Sequence, residues 1–301
     1  MSVEDIHSVA VVGSGTMGSQ IAHVVALGGY PVRLYGRSQQ RLDEATTACA
    51  GALRQRVAKG KLRADACEQA LARVVTTTDL EAATAGADLL IKAIAEDREA
   101  KRALLVDLDR LVPAHCIVAS NSSTIPSSCF ADVISGPERL LNVHFFNPAL
   151  VMQLVEVVRG PHTSAATAQT CMEFVRRLGK SPVLVRRESY GFIANRILFI
   201  AMQEAFRLLD AGVTGLDEID LAVKNGLNWP MGPFELADLV GLDITRDILE
   251  QGYEQTGEQR WRPPRLLTDL VEAGHLGRKT GRGFYLYVAG RRQAVPLRAA
   301  G

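Results

Sequence analysis

The sequence predicts a doubly wound parallel α/β sheet unit followed by an all-α unit, and three observations carry that expectation. Short β-branched runs without polar alternation recur through the first 187 residues, the pattern of strands covered on both faces. Longer segments with apolar residues at helical spacing, such as 17–27 and 39–59, separate them. From Tyr190 onward nearly everything reads as helix, punctuated by glycine and proline at Gly212, Gly226, Pro230, Gly232, Pro233, Gly241, Pro263 and Pro264. The cut falls near Arg187, giving units 1–187 and 188–301.

In chain order, strands are expected at 9–12, 32–35, 74–76, 88–94, 117–120 and 140–145, with 155–158 and 183–185 extending the series. No second set of strands is expected after residue 190. The last twelve residues, GRRQAVPLRAAG, lack periodicity and read as a loose tail. The segment 192–209 is apolar on too many faces for a single core, so a homodimer through the helical unit is expected. Its Asn195, Arg196, Gln203, Glu204 and Arg207 are too many polar groups for a membrane span.

Composition narrows the function classes. Among 301 residues, 34 basic and 33 acidic side chains leave a formal charge of +1, which gives no reason to expect nucleic acid or an anionic membrane as partner. A chain 47% hydrophobic and 22% charged is of ordinary globular type, and its length favours two domains. The five cysteines (Cys49, Cys67, Cys116, Cys129, Cys171) are scattered without a CxxC pair. That excludes a disulfide framework, argues against a cysteine zinc site and fits a reducing compartment; no metal is expected. The opening MSVEDIHSVAVVG carries acids where a signal peptide needs bases, so a soluble, cytoplasmic protein is expected.

The first motif with chemistry is Gly13-Ser14-Gly15-Thr16-Met17-Gly18, a GxGxxG turn between a strand and a helix. Its glycines serve a tight turn, backbone approach to a pyrophosphate and close helix packing, and the helix N-terminus offers free N–H groups to phosphate. The bland alternative is a glycine turn with no ligand. In this context the turn marks a Rossmann-type dinucleotide site. An NAD enzyme keeps an acid at the end of the second strand for the ribose hydroxyls; here Gly36-Arg37-Ser38 stands there instead. Room at Gly36, with Arg37 and Ser38 to meet a 2′-phosphate, favours NADP over NAD, the alternative being that Arg37 is a solvated loop cation.

The second motif is a histidine at the end of an apolar strand, Leu140-Leu141-Asn142-Val143-His144, with Glu156 twelve residues later inside Leu154-Val155-Glu156-Val157-Val158. A carboxylate in such a run must find a partner, because an unpaired buried charge is costly. Pairing with His144 would fix the imidazole tautomer and stabilise the imidazolium, as general acid–base work requires, although such pairs are also often structural. The polar cluster Ser120-Asn121-Ser122-Ser123-Thr124 follows another strand, where Ser123 or Ser122 could bond a substrate oxygen. Asn195, an amide in an apolar helix, reads on its own as a packing hydrogen bond.

The segments GSGTMG, ASNSS, HFFNPALVMQLVEVV, GFIANRIL, NWPMGPFELADLVGLD and LGRKTGRGFY occur in an order that resembles the L-3-hydroxyacyl-CoA dehydrogenases, nearest to short bacterial 3-hydroxybutyryl-CoA dehydrogenases, over residues 7–287. The resemblance implies that His144 is the general base for the 3-hydroxyl proton, oriented by Glu156. It implies that Ser123 and Asn195 face the substrate oxygens, and that Glu96 and Lys101 line the nicotinamide and its ribose. Lys59 and Lys61 match a basic helical hairpin that would meet the CoA phosphates, or be merely solvated. Four departures stand out: Gly36 for the ribose-binding acid, Lys92 for a glutamate, Tyr190 for a proline and Trp229 for a histidine.

Together these readings imply a two-domain NAD(P)-dependent oxidoreductase interconverting an (S)-3-hydroxyacyl-CoA and its 3-ketoacyl form, with substrate held between the domains. The alternatives are a dehydrogenase of a carrier-protein-bound acyl thioester, one acting on a free hydroxy or sugar acid, and a catalytically inactive crystallin-like binding protein. The broader β-hydroxyacid dehydrogenases look to a lysine on the linking helix, where this chain has Asn195.

Overall fold

The β-branched runs assemble into one eight-stranded sheet: β1 Val9–Val12, β2 Val32–Tyr35, β3 Val74–Thr77, β4 Leu89–Lys92, β5 Ile117–Ser120, β6 Leu140–Phe145, β7 Leu154–Val158 and β8 Ser181–Val185. Their order across the sheet is β3-β2-β1-β4-β5-β6-β7-β8. The computed structural model describes residues 1–293. The helices between the strands are α1 Thr16–Leu27, α2 Gln39–Ala58, α3 Ala64–Ala72, α4 Leu80–Thr84, α5 Arg98–Leu111 and α6 Ala165–Arg177.

Alternate residues of each central strand enter different cores. Val9, Val11, Leu34 and Ile91 pack with Ile21 and Val25 of α1 and with Phe174 of α6. Ala10, Val12, Leu90 and Val118 pack with Leu105 and Leu108 of α5. Both faces are therefore dry, which is why these strands lack polar alternation. The expected strand 88–94 is shorter, Leu89–Lys92, and the Asp88 carboxylate before it accepts from the His7 and Ser8 amides.

The sheet is not wholly parallel, which corrects one expectation. β7 runs antiparallel to β6, and β8 runs parallel to β7. Only residues 146–153 join β6 to β7, too few for the crossover that a parallel neighbour needs. The hairpin places His144 opposite Glu156.

The chain divides into a compact unit Met1–Phe192 and a second beginning at Ile193. The second holds α7 Ala194–Asp210, α8 Leu216–Gly226, α9 Pro233–Val240, α10 Leu242–Thr256 and α11 Arg265–Glu272. It also holds a hairpin, β9 Leu286–Val288 with β10 Arg291–Gln293, so the expectations of no further strands and of a loose tail fail over 290–293. Residues 294–301 of that tail lie outside the described residues.

Two buried carboxylates organise this unit. Asp220 accepts from the Phe234 and Glu235 amides and the Tyr285 hydroxyl. Asp238 accepts from the Phe284 and Tyr285 amides and the Tyr287 hydroxyl. A Cβ at Gly232 would collide with Asp220, and one at Gly277 or Gly283 with Asp238. The PMGPFEL and GRKTGRGFY segments are thus built around carboxylates that bind backbone ends in a dry interior.

Among the described residues no helix is long and apolar enough to cross a membrane, and no group of three or more His, Cys, Asp or Glu could hold a metal ion. All five cysteines are free.

Candidate active site

The glycine turn joins β1 to α1. Gly13 takes φ 123°, a conformation open to glycine, and a Cβ there would strike the Ala93 carbonyl; one at Gly18 would strike the Gly13 carbonyl. Above Gly15 there is open space. α1 also has no side-chain cap, whereas α2, α4, α5 and α6 are capped by Ser38, Asp79, Asp97 and Ser164. Its first-turn amides, Thr16, Met17 and Gly18, are therefore left for an anion, and these residues fit the pyrophosphate of a dinucleotide. A cavity of about 450 Å³ opens beside the turn, lined by Ser14, Gly15, Thr16, Ser19, Gln20 and Leu150 and by Arg41, Ala45, Ala48 and Cys49 of α2.

At the end of β2, Gly36 is enforced by packing: a Cβ would lie 2.5 Å from Ser14 Oγ and 2.6 Å from Ser14 Cβ. Arg37 is exposed and, among the described residues, forms no salt bridge. Ser38 caps α2, its hydroxyl accepting from the Arg41 amide at 3.4 Å. Lys59 and Lys61 are exposed at the turn joining α2 to α3, so the helical hairpin exists and both ammonium groups face water.

The acid–base pair sits where β6 and β7 meet. His144 Nδ1 lies 2.9 Å from Glu156 Oε2, and the two side chains are buried, at 6% and 1% exposure. Nδ1–H donates to the carboxylate, so Nε2 carries the lone pair that can take a proton. The Phe146 and Phe192 rings stand against the imidazole at 4.4 and 5.7 Å between centroids.

A second polar cluster forms at the ends of β4 and β5. Glu96 accepts from Ser122 Oγ at 2.7 Å, from the Ser123 amide at 2.8 Å and from Ser123 Oγ at 3.4 Å, and it pairs with Lys101 Nζ. Ser123, expected to face a substrate oxygen, donates chiefly its amide to Glu96, and Ser122 has the hydroxyl closer to that carboxylate. Burial lowers Lys101 to about 8. Lys92, the last residue of β4, is buried, and among the described residues its Nζ has no hydrogen-bond partner and lies 5.0 Å from the Phe130 ring centroid. Burial, then the charge of Lys101, lowers it to about 6.

Sequence reasoning missed the residues that hold these loops in place. Asn142, fully buried in β6, donates to the Ser122 and Ile125 carbonyls and accepts from the Ser127 amide. Asn121 accepts from the Phe145 amide at 2.8 Å, tying the serine loop to the strand end that bears His144. An amide inside the apolar run LLNVHF was the available signal. Asn195 lies half-buried in the first turn of α7.

A dinucleotide turn and a buried His–Glu pair carried by one sheet define an oxidoreductase of the nicotinamide-dependent class. Residues 8–189 match the family described as 3-hydroxyacyl-CoA dehydrogenase, NAD binding domain, and residues 191–287 match its C-terminal domain. A 3-hydroxybutyryl-CoA dehydrogenase of Bradyrhizobium diazoefficiens is 41% identical over 94% of this chain and 96% of its own length. The chain spans 62% of the length of a 3-hydroxyadipyl-CoA dehydrogenase of Escherichia coli, at 40% identity over 98% of this chain. The crystal structure of (S)-3-hydroxybutyryl-CoA dehydrogenase from Ralstonia eutropha superposes with a TM-score of 0.90 at 38% identity, covering 94% of this chain and all of that one. The chain belongs to the 3-hydroxyacyl-CoA dehydrogenase family.

Proposed function

We propose that this protein interconverts short-chain (S)-3-hydroxyacyl-CoA and 3-ketoacyl-CoA, with NADP preferred over NAD. The carrying observation is the buried His144–Glu156 pair with Nε2 left free. In oxidation His144 Nε2 takes the 3-hydroxyl proton as the C3–O bond becomes a carbonyl, and Glu156 holds Nδ1–H and balances the imidazolium. A nicotinamide dinucleotide held by the glycine turn, with its nicotinamide end at Glu96 and Lys101, would supply the acceptor for the C3 hydride, or the donor in reduction. In reduction His144 protonates the new alkoxide.

Ser123 and Asn195 are the groups for the substrate oxygens, and Glu96 with Lys101 is the pair for the nicotinamide end. Gly13, Gly15, Thr16, Met17 and Gly18 would hold the pyrophosphate. The lack of an acid at Gly36 and the unpaired Arg37 support NADP, and Ser38 keeps a hydroxyl proton to donate although it caps α2. Exposed Lys59 and Lys61 support a nucleotide-bearing thioester.

A homodimer through the helical unit accounts for Ile197, Leu221 and Leu227, which are 62%, 56% and 64% exposed. The free cysteines fit the cytoplasm. Oxidation of NADPH and NADH with acetoacetyl-CoA tests the reading, and no turnover with either cofactor overturns it. Sedimentation as a monomer removes the dimer.

A further inference from the structure

The segment that ends the first unit touches the acid–base pair itself. Phe192 is a bulky residue at φ 48°, following Gly191 at φ 71°; side chains other than glycine seldom occupy that region. The surroundings hold it there. The Phe192 amide donates to the Ser189 carbonyl at 3.0 Å, and Ser189 Oγ donates to the Phe192 carbonyl at 3.2 Å. The ring is buried, packs with Val158 and Val185 at the ends of β7 and β8, and lies 5.7 Å from the His144 ring at an interplanar angle of 60°. An uncommon backbone conformation that survives at such a place is a reason to look for function.

Four residues upstream, Glu188 supplies a second anchor. Its Oε1 accepts from Ser127 Oγ at 2.7 Å and from the Ser128 amide at 3.1 Å. His162 Nε2 lies 3.5 Å from the same Ser127 hydroxyl. Ser127 is fully buried, and its amide donates to Asn142 Oδ1 at 2.8 Å. Asn142 stands two residues before His144 on β6 and faces the same side of the strand. The segment 188–192 is therefore held at one end, through Ser127 and Asn142, to the strand that carries the histidine, and at the other by the Phe192 ring packed on β7 and β8 beside that histidine.

We infer that Phe192, clasped by the Glu188 anchor, is a positioning residue for His144. With Phe146 it walls the imidazole so that the ring stays on Glu156 with Nε2 aimed outward. The role rests on His144 being the general acid–base group. A misplacement of about 1 Å at a reacting group is enough to cost roughly a hundredfold in rate, so a wall on the ring has leverage.

The test compares Phe192→Leu, Phe192→Tyr, Glu188→Gln and the Glu188→Gln/Phe192→Leu pair with wild type and His144→Gln in single-turnover reduction of acetoacetyl-CoA. Phe192→Leu is expected to slow hydride transfer roughly tenfold or more while KM for the thioester and Kd for NADPH stay within about twofold. Phe192→Tyr, which keeps the ring, restores the rate. The double variant is no slower than Phe192→Leu alone, because both changes release one clasp. An unchanged rate in Phe192→Leu, a loss confined to KM, or fully additive losses overturn the inference. In those cases a strongly impaired His144→Gln leaves the acid–base reading standing, whereas an active His144→Gln removes that reading first. If Phe192→Leu fails to bind NADPH, Ser189→Ala carries the test: a rate lowered with Kd intact supports the clasp, and an unchanged rate refutes it.

Discussion

His144 and Glu156 are register partners across the β6–β7 ladder, so their side chains rise side by side from one face of the sheet and meet at 2.9 Å. Adjacent antiparallel positions lie about 4.5–5.5 Å apart, which lets a short carboxylate reach an imidazole without loop flexibility. His144→Gln is expected to cut turnover of acetoacetyl-CoA by roughly 10²–10⁴-fold, the usual contribution of a positioned acid–base group. Cofactor affinity should stay nearly intact. A small kinetic drop would refute the role.

Gly36 has two claims on it, and a pair of substitutions separates them. Gly36→Asp alone is expected to weaken binding of both cofactors, since its Cβ meets Ser14 Cβ at 2.6 Å. With Ser14→Gly added, space returns and the new carboxylate should turn preference toward NAD by repelling a 2′-phosphate. Arg37→Ala should raise KM for NADPH roughly tenfold and leave NADH unchanged, the size of one charge-assisted contact. Equal effects on both cofactors in Arg37→Ala would remove the 2′-phosphate reading.

Lys92 carries a pH prediction. Its folded value of about 6 lies far below the unfolded lysine value of about 10.4, so between those limits the unfolded chain binds the extra proton and stability rises with pH. Its contribution is complete above the unfolded value and is lost as pH falls toward 6. Lys92→Met should therefore stabilise the protein at pH 7 by on the order of a few kcal/mol, with the gain fading toward about pH 10. Urea unfolding at both pH values checks this, and an equal gain at both contradicts it.

Asp238 tests the helical unit. Asp238→Ala strands two amides and a hydroxyl in a dry interior, a loss of roughly 3 kcal/mol or more. Chemical denaturation followed by tryptophan fluorescence should show it, and a loss below about 1 kcal/mol would mean that water replaces the carboxylate.

Lys59 and Lys61 separate coenzyme A from a free acid. Changing both to alanine should raise KM for acetoacetyl-CoA roughly tenfold but leave a pantetheine thioester lacking the nucleotide unaffected. A matching loss on both substrates would assign the lysines to the hairpin's own stability.

Much of the site was legible because its signals are local. The glycine turn needs a positive φ at Gly13 and a close approach to the Gly13 carbonyl at Gly18, and only glycine meets both. Glu156 announced a partner because a lone carboxylate cannot stay in an apolar strand. Asn142 was quieter, since a buried amide states that it needs partners without saying which. The hairpin around Ala289 and Gly290 was illegible: three-residue strands such as Arg-Arg-Gln lack a period, and their anchors are distant, Asp238 on the Phe284 and Tyr285 amides and Glu235 on Arg292.

The order of residues by itself determined the doubly wound sheet, the dinucleotide turn and the need of Glu156 for a basic neighbour, because each follows from periodicity, backbone sterics or the cost of an unpaired charge. Only the tertiary structure decided that β7 turns back against β6, that Ser122 and Ser123 donate to Glu96, that Lys92 Nζ finds no hydrogen-bond partner among the described residues and that Phe192 leans on the imidazole. Those outcomes depend on which distant groups arrive within hydrogen-bonding or van der Waals reach, and no short stretch of chain encodes a distance between residues far apart along it.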